Sequence, residues 1–451
     1  VTITNKDHDT LAEALRSSAS GSVTITLTYS DQVPVTDMPM VYPTSSWGVS
    51  PDLTLKPEIT APGGNVVSAG YLDQYVRMTG TSQASPHVAG VAALVRERIA
   101  SDPLFARMSH ADKDAVVANI LMSTAHPLQD VEQRNGTYYS PRRVGAGLVD
   151  AVAATTTAVY PTVEGASDPS RPKADLGDGT QGWSFTVRLT NLSGDDHTYT
   201  LGGQALSPTI EGNSFTFRSA NWTNTGIGLA FSTDSVTVPA TSSATVTVTV
   251  TPKGEFASYA TSNTPNGTFI DGAVTFASTD GQPDLTVPYL GFYGDWGKPA
   301  IFDSLASDGD GHILASSIGA TDGGNTLGYN PLAKDSERSG RPNASKYVIS
   351  RSDALYAPNA IYPKTGTLRS VHTMTTTYTN EAGEVVASYE SHQNWKSTLN
   401  PSSGAISPVE QEHAPRFLDL TSDEFKDLPD GNYKLTIAAH NDGPPPTEQS
   451  I

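Results

Sequence analysis

The chain has 451 residues and no cysteine, so a disulfide framework and a thiolate zinc site are excluded. Its 28 Lys and Arg against 47 Asp and Glu give a formal net charge of −19, which makes nucleic acids and anionic membranes poor partners. The mean hydropathy is −0.30, and no stretch of about 18 apolar residues predicts a membrane span. The length predicts about three domains.

The first 34 residues predict a strand, a short helix and a second strand. Leu11 and Leu15 share one face of the helix, and apolar residues alternate over positions 23–27. This pattern is typical of the end of a small α/β unit. The chain begins at Val1 without the pattern of a signal peptide, so we expect it to be a piece of a longer protein.

Between about residues 35 and 156 the pattern predicts an α/β fold with two helices and loops rich in Pro and Gly. The first helix is predicted to follow Pro86 and the second to run from about Ala111 to Thr124. Ser109 stands three residues before Asp112, which indicates a capping box. Apolar residues at helical spacing predict that both are core helices, namely Val88, Val91, Ala92, Val95 and Ile99 in the first and Val116, Val117, Ile120 and Leu121 in the second.

Residues 157–300 predict an antiparallel β-sandwich, because apolar and polar residues alternate along successive runs separated by turn residues. The apolar members of these runs are Phe185, Val187, Leu189, Val236, Val238, Val246, Val248, Val250, Val274 and Phe276. A second sandwich is predicted over residues 301–451. It includes a strand at 433–438, entered through the hairpin-like segment 428–433, and we expect it to be truncated at Ile451.

The segment from Gly80 to Gly90 reads Gly-Thr-Ser-Gln-Ala-Ser-Pro-His-Val-Ala-Gly and leads from a loop into a helix. A serine at a helix N-terminus exposes its hydroxyl, and the helix end carries about half a positive elementary charge that favours a nearby oxyanion. Gly80 allows close approach of a substrate backbone, and the Ser82 amide can donate to an oxyanion. The simpler interpretation is that Ser82 only caps the helix, which is the commoner role of such a serine.

The whole segment resembles the nucleophile motif of the subtilisin-like serine proteases, the subtilases. Further segments stand in the family's order, namely Ser45–Gly48, Lys56–Ile59, Ala61–Gly64 and Gly145–Ala151. The resemblance implies that Ser82 is the nucleophile and that Gly80 and Thr81 line the oxyanion and substrate side. Gln83 is a departure, because relatives commonly carry Met there. In the family the histidine at His87 is structural.

The triad acid and base of the family have no counterpart in this chain. None of the 10 histidines is followed by Gly, as the family's base is, and no Asp begins the Asp-Ser-Gly or Asp-Thr-Gly pattern of its acid. The order of segments resembles the lactocepin-type cell-envelope proteinases, which carry a protease-associated insert after the oxyanion Asn. This implies that residues 1–34 end that insert and that 35–156 are the C-terminal half of the catalytic domain. Asp, His and Asn would then precede Val1 on missing sequence or on a separate chain, and we expect this chain alone to be inactive.

The resemblance continues into the first predicted sandwich, where Asn266–Phe269 and Val287–Trp296 are similar to the fibronectin type III-like domain of those proteinases. The expected fold class is therefore multidomain, with half of an α/β catalytic domain followed by all-β sandwiches. The implied function is a secreted or wall-associated bacterial serine endopeptidase that acts on proteins or peptides. Taken as structure alone, the aromatic residues of Val287–Trp296 predict core and inter-domain packing.

A second class of function stays open, in which a degenerate protease serves as a cell-surface adhesive or scaffold through its sandwiches. We predict no cofactor and no metal site. Asp308–Gly311 suggests a calcium loop but lacks the twelfth-position Glu, so a solvated turn is favoured. His8 stands between Asp7 and Asp9, where a surface cap is more typical than a metal ligand.

Overall fold

The structure is a computed structural model that divides the chain into two units, Val1–Pro39 and Met40–Ile451. It describes residues 12–18, 40–71, 73–131, 133, 135–211, 214–308, 315–320, 361–399, 406–407, 409–410, 416–419, 424–441 and 447–451. In the first unit a helix (α1) occupies residues 12–17. The strands predicted on either side of it, His8 and residues 309–311 of the suggested calcium loop lie outside the described residues.

The second unit begins with a mainly helical part whose elements surround a small apolar core. Its elements are α2 (Thr81–Ser101), a 3₁₀ turn (Pro103–Phe105), α3 (His110–Ser123), α4 (Pro141–Val144), α5 (Ala151–Thr156) and a hairpin of β1 (Val66–Ala69) and β2 (Tyr75–Met78). Helix α2 packs against both α3 and α5. Val95, Ile99 and Phe105 are buried in this core together with the apolar stripe of α3.

Helix α3 follows the sequence prediction closely. It runs from His110 to Ser123, and the Asp112 amide donates to the Ser109 hydroxyl at 3.1 Å, which confirms the predicted cap. The four apolar residues of the predicted stripe are all buried. Local signals are enough here, because the cap and the 3.6-residue period both belong to a single continuous segment.

The prediction that the first helix follows Pro86 was wrong, because α2 begins at Thr81 and contains Pro86. A proline inside a helix removes one backbone donor but leaves the preceding residues able to be helical when neighbouring contacts hold them. The prediction of a core helix is confirmed. Val95 and Ile99 are buried, and Val88, Val91 and Ala92 are half-buried and pack against the same core.

Two sheets form the β-sandwich that follows. One contains β3 (Val159–Val163), β5 (Trp183–Asn191), β10 (Ser243–Pro252) and β8 (Ile227–Phe231) in that order. The other contains β4 (Ala174–Gly179), β12 (Leu285–Tyr293), β11 (Thr268–Ser278), β6 (His197–Glu211) and β7 (Ser214–Asn221), with β9 (Ser235–Val238) also paired to β6. Helix α6 (Gly254–Asn263) packs on the core through Phe256 and Ala260.

The alternation seen in the sequence is confirmed in this sandwich, because the apolar members of each predicted strand are buried between the two sheets. The topology differs from the prediction at one place. Strand β4 pairs with β12 in parallel, whereas the prediction was a wholly antiparallel sandwich. Period-two alternation gives the face of each residue but does not give the direction of the neighbouring strand.

A second β region contains smaller sheets. Its strands are β13 (Ser317–Ala320), β14 (Ile361–Thr365), β15 (Val371–Asn380), β16 (Val385–Trp395), β17 (Thr398–Leu399), β18 (Ile406–Ser407), β19 (Val409–Glu410), β20 (Arg416–Asp419), β21 (Glu424–Asp427), β22 (Tyr433–Asn441) and β23 (Thr447–Ser450). The main sheet has the order β16-β15-β22-β23. The segment 428–433 leads into β22, which begins at Tyr433 as predicted and pairs antiparallel with the next strand, β23. No helix in the described part of the chain is long and apolar enough to cross a membrane.

Candidate functional site

Ser82 lies in the first turn of α2 and is exposed. The N-cap residue is Gly80, and no side chain caps this end of the helix, so the simpler interpretation of Ser82 as an N-cap was wrong. The amides of Thr81 and Ser82 belong to the group of N–H donors that have no acceptor within their own helix. Ser82 therefore presents its hydroxyl beside amides that carry the positive end of the helix dipole.

The loop before the hairpin holds the start of α2 in place. The Gly80 N–H donates to the Gly63 carbonyl at 2.8 Å, and the Asn65 N–H donates to the Thr79 hydroxyl at 2.9 Å. A Cβ atom at Gly63 would lie 2.8 Å from the Gly80 carbonyl oxygen and 3.1 Å from the Cβ of Ala84. The loop can approach the helix this closely because Gly63 has no side chain.

Pro86 and His87 shape the second turn of α2. Pro86 lacks the N–H that would otherwise donate to the Ser82 carbonyl. His87 is exposed, and its Nδ1 donates to the Gln83 carbonyl at 2.9 Å. The first turn closes instead through the Gln83 and Ala84 amides, which both donate to the Gly80 carbonyl, at 3.1 and 3.4 Å.

The segment Gly145–Ala151 packs directly on the segment that leads to this loop. The Ala146 amide donates to the Glu58 carbonyl at 3.0 Å, and the Thr60 amide donates to the Gly147 carbonyl at 2.8 Å. Gly145 and Gly147 have φ values of 63° and 127°. A Cβ atom at Gly147 would lie 1.9 Å from the His126 carbonyl oxygen, and one at Gly145 would lie 2.2 Å from the carbonyl carbon of Glu58. Glycine is required at both positions by backbone conformation and by space.

The segment Ser45–Gly48 packs on α4. The Gly48 amide donates to the Arg142 carbonyl at 2.8 Å, and the guanidinium groups of Arg142 and Arg143 lie 5.7 and 5.5 Å from the ring centroid of Trp47. A Cβ atom at Gly48 would lie 1.8 Å from the Lys56 carbonyl oxygen. The structure therefore links the segments that carry the resemblance through direct backbone contacts.

A buried ion pair joins this helical part to the sandwich. Asp271 on β11 is fully buried, and its Oδ2 accepts hydrogen bonds from Arg142 Nε at 2.6 Å and from the Ser140 hydroxyl at 2.5 Å. The Arg142 guanidinium also lies 4.3 Å from the ring centroid of Phe269, which is a cation–π distance. Helix α4 is thus fixed to strand β11 by charge and by packing.

The backbone of Leu55 is hydrogen-bonded to Asp175 on β4 and to Lys173, which directly precedes β4. Its amide donates to Asp175 Oδ1 at 2.6 Å, and its carbonyl accepts from Lys173 Nζ at 2.8 Å. Burial raises the pKa of Asp175, and the nearby Lys173 ammonium only partly offsets this. Trp296 Nε1 donates to the Pro51 carbonyl at 3.1 Å, and its ring packs against Leu53, so the predicted inter-domain role of the aromatic run is confirmed.

His126 and Asp150 form the pair that most resembles a base and its acid in the helical part. Their side chains lie 2.7 Å apart, and the His126 side chain is 54% exposed. Burial raises the pKa of Asp150, but hydrogen bonds from the Ala153 amide and from His126 lower it below its usual value. Because Asp150 caps α5 through the Ala153 amide, its role is structural. Within the described residues no hydrogen bond joins His126 to Ser82.

A second group, which the sequence analysis missed, has the order of a catalytic triad. His197 Nε2 lies 2.9 Å from the Ser193 hydroxyl, and its Nδ1 lies 3.1 Å from Asp280 Oδ2. The Ser193 hydroxyl also lies 2.8 Å from Asn191 Oδ1 and 3.0 Å from the Asp195 carbonyl, so two acceptors other than His197 are within reach of its proton. This group joins the loop between β5 and β6 to the loop after β11.

The structure also contains a cavity of about 800 Å³ between α3 and the first sandwich. Its lining includes Asn119, Tyr160 and Asp112 but not Gly80, Thr81 or Ser82. This cavity is therefore separate from the N-terminus of α2. Among the described residues, no cluster of three or more His, Cys, Asp or Glu side chains could hold a metal ion.

Two family models match this chain. Residues 4–147 match the model of the subtilase family, and residues 175–290 match that of an Fn3-like domain. The matched ranges correspond to the helical part with its flanking segments and to the first sandwich.

Curated proteinases are similar over much of this chain. A PII-type proteinase of Lactococcus lactis subsp. cremoris is 28% identical over an alignment of 416 residues. The alignment covers 88% of this chain and 21% of that protein. A PI-type proteinase of the same subspecies is 31% identical over 58% of this chain and 14% of its own length. A C5a peptidase of Streptococcus pyogenes is 29% identical over 62% of this chain and 23% of its own length. The chain thus spans between 14% and 23% of the length of these relatives.

Proposed function

Because this chain belongs to the subtilase family, as part of a catalytic domain followed by an Fn3-like domain, we propose that it carries the nucleophile of a serine endopeptidase. Ser82 Oγ attacks the carbonyl carbon of a peptide bond as a general base takes its proton. The C–N bond breaks, the amine leaves with that proton, and water then hydrolyses the acyl-enzyme. The proposal depends chiefly on one observation. Ser82 is exposed in the first turn of α2, at a helix end that no side chain caps.

The environment of Ser82 suits this role. The tetrahedral intermediate carries negative charge on the former carbonyl oxygen, and backbone amides at a helix N-terminus stabilise such charge. Gly80 and Thr81 form the side of the site along which we expect the substrate to lie. The short contacts between Gly63 and Gly80 keep this backbone in one position, which is the pre-organisation that oxyanion stabilisation requires.

We further propose that the general base, its acid partner and the oxyanion Asn come from sequence outside this chain. In the helical part, the pair that most resembles a base and its acid is His126 with Asp150, and this pair has a structural role at α5. Helix α2 also has an exposed apolar side with Ala89, Ala93 and Leu94, whereas Val88 and Val91 pack against the apolar core. We expect the polypeptide that supplies the base to cover this side. The complete enzyme would act on proteins or peptides outside the cell, free or bound to the wall.

Labelling with a fluorophosphonate probe tests the assignment in the full-length gene product. We expect the probe to label Ser82 and the label to be lost in Ser82→Ala. Ser85→Ala is the matched control, because Ser85 is also exposed and lies one turn along the same helix. Labelling that persists in Ser82→Ala at another serine would exclude the assignment.

The 451-residue chain alone should neither react with the probe nor cleave casein, because it would lack the base. Turnover by this chain would show that the base lies within it. A full-length protein that carries no base and no oxyanion Asn would instead favour a role as a surface adhesive or scaffold.

A further inference from the structure

The hairpin before the nucleophile has one sheet face that is exposed and largely apolar. Cross-strand pairs place Val67 opposite Arg77 and Ala69 opposite Tyr75, so these four side chains lie on the same face. All four are exposed, with Val67 at 59% and Tyr75 at 82%. Tyr71, in the turn between the strands, is 87% exposed. We call these five residues the outer hairpin face.

The opposite face of the hairpin is different. Val66 and Val76 on that face are half-buried. Met78, also on that face, is 52% exposed but accepts a weak hydrogen bond from the Gln83 side chain on α2 at 3.8 Å. This contact to α2 is made by the face opposite the outer hairpin face. Two-stranded hairpins are only marginally stable in water, and large exposed apolar side chains on one sheet face mark sites of interaction.

The hairpin also has free edges. Within the described residues β1 and β2 pair only with each other, so each strand has backbone donors and acceptors along its outer edge. An extended polypeptide can pair with such an edge and place alternate side chains on the neighbouring sheet face. Tyr side chains suit this contact because they bury a large apolar surface at a small cost in conformational entropy.

The position of the hairpin, close to Ser82 in the chain, indicates which molecule contacts its outer face. Ser82 lies four positions after Met78, the end of β2, so the two Cα atoms are at most about 14 Å apart. This link is held to the loop before β1, because the Thr79 hydroxyl accepts from the Asn65 amide and the Gly80 amide donates to the Gly63 carbonyl. A polypeptide whose scissile bond lies at Ser82 reaches the hairpin within a few residues.

We propose that the outer hairpin face is a docking surface for an extended, apolar segment of a polypeptide substrate, beyond the residues bound at Ser82. This inference rests on the proposed function, which it extends by naming the substrate class. Unfolded proteins rich in apolar and aromatic residues fit the surface. Arg77 is the cation on this face and favours an acidic residue within an otherwise apolar segment.

Binding of fluorescein-labelled casein to the full-length Ser82→Ala protein tests the surface without turnover. Adding Tyr71→Ser and Tyr75→Ser should weaken binding by about tenfold, as expected for two aromatic contacts. The matched control is Val152→Ser with Val385→Ser, two residues that are 72% and 62% exposed on other elements. The control should leave Kd within about twofold. An unchanged Kd in the tyrosine variant would overturn the proposal.

Kinetics in the active protein give an independent result. The tyrosine substitutions should raise KM for casein and leave kcat/KM for a short chromogenic peptide unchanged, because that peptide is too short to reach the hairpin. An equal loss for both substrates, with a lower Tm, would overturn the proposal and show that another part of the protein covers the hairpin. A protein without labelling at Ser82 that still binds casein through the tyrosines would contradict the proposed function but not the docking surface.

Discussion

Replacing Arg142 with Met should destabilise the joint between the helical part and the first sandwich more than any other single change at this contact. The substitution leaves the Asp271 carboxylate with its Ser140 hydrogen bond but without a counter-charge. The Asp271 side chain is 0% exposed and that of Arg142 is 8% exposed, so water cannot replace the lost partner. Removing one member of a buried pair typically costs about 3–5 kcal/mol, or about two to four orders of magnitude in the unfolding equilibrium.

Asp271→Asn should cost less, about 2 kcal/mol, because the amide oxygen can still accept from Arg142 and Ser140. The guanidinium also retains its contact with the Phe269 ring. The double variant Arg142→Met with Asp271→Leu removes both charges and keeps the volume. It should be more stable than Arg142→Met alone, since a well-packed apolar pair can replace a buried ion pair with little loss.

Urea unfolding monitored by tryptophan fluorescence measures these differences, because Trp47 and Trp296 both lie at the joint. The urea dependence of the unfolding free energy should stay constant, so that shifts in the midpoint report stability. A cost below about 1 kcal/mol for Arg142→Met would refute the reasoning, since it would place the pair in solvent. Strictly additive effects in the double variant would do so as well.

Two more predictions concern a glycine and a buried carboxylate. Gly147→Ala should cost at least about 3 kcal/mol in urea unfolding, because its φ is 127° and its Cβ would lie 1.9 Å from the His126 carbonyl oxygen. Gly90→Ala is the matched control, because nothing that its Cβ would meet lies within 4 Å, and it should be neutral or stabilise α2 by up to about 1 kcal/mol. Equal losses of stability in Gly147→Ala and Gly90→Ala would contradict this account. The raised pKa of Asp175 means that its ionised form destabilises the folded chain, so stability is lost as pH rises through that pKa. The stability of the wild type relative to Asp175→Asn should therefore increase as pH falls from 7 towards 4, and a difference independent of pH would contradict the prediction.

The elements predicted well from the sequence are those whose signals are local. Helix α3 combines a cap at Ser109 with an apolar stripe, and both features act within 14 residues. Strands β5 and β10 show their period of two directly, and each buries its apolar side. The apolar period of α2 places its start only after Pro86, because the first turn is held by the hydrogen bond from Gly80 to Gly63 and not by a local cap.

The candidate site shows the same division. Ser82 is identified from its own segment, since the residues around it resemble one motif. The contacts that support the segment come from elsewhere in the chain, because Asp175 binds Leu55 and Asp271 binds Arg142 across more than 100 residues. A single carboxylate on a strand carries no sequence signal for its partner. These contacts could be found only once the packing of the sandwich on the helical part was known.

The sandwich is therefore part of the support of the helix that carries Ser82 and not only an appended domain. Asp271 fixes α4, and the residues directly after α4 pair with the Glu58 segment, which continues into the loop at Gly63. That loop in turn holds Gly80 at the start of α2. The steps are a buried charge contact, backbone hydrogen bonds and the chain segments between them, so we expect a displacement of β11 to reach the helix that carries Ser82. In the full-length protein, a change at Asp271 that leaves the protein folded should therefore lower the rate at which the fluorophosphonate probe labels Ser82.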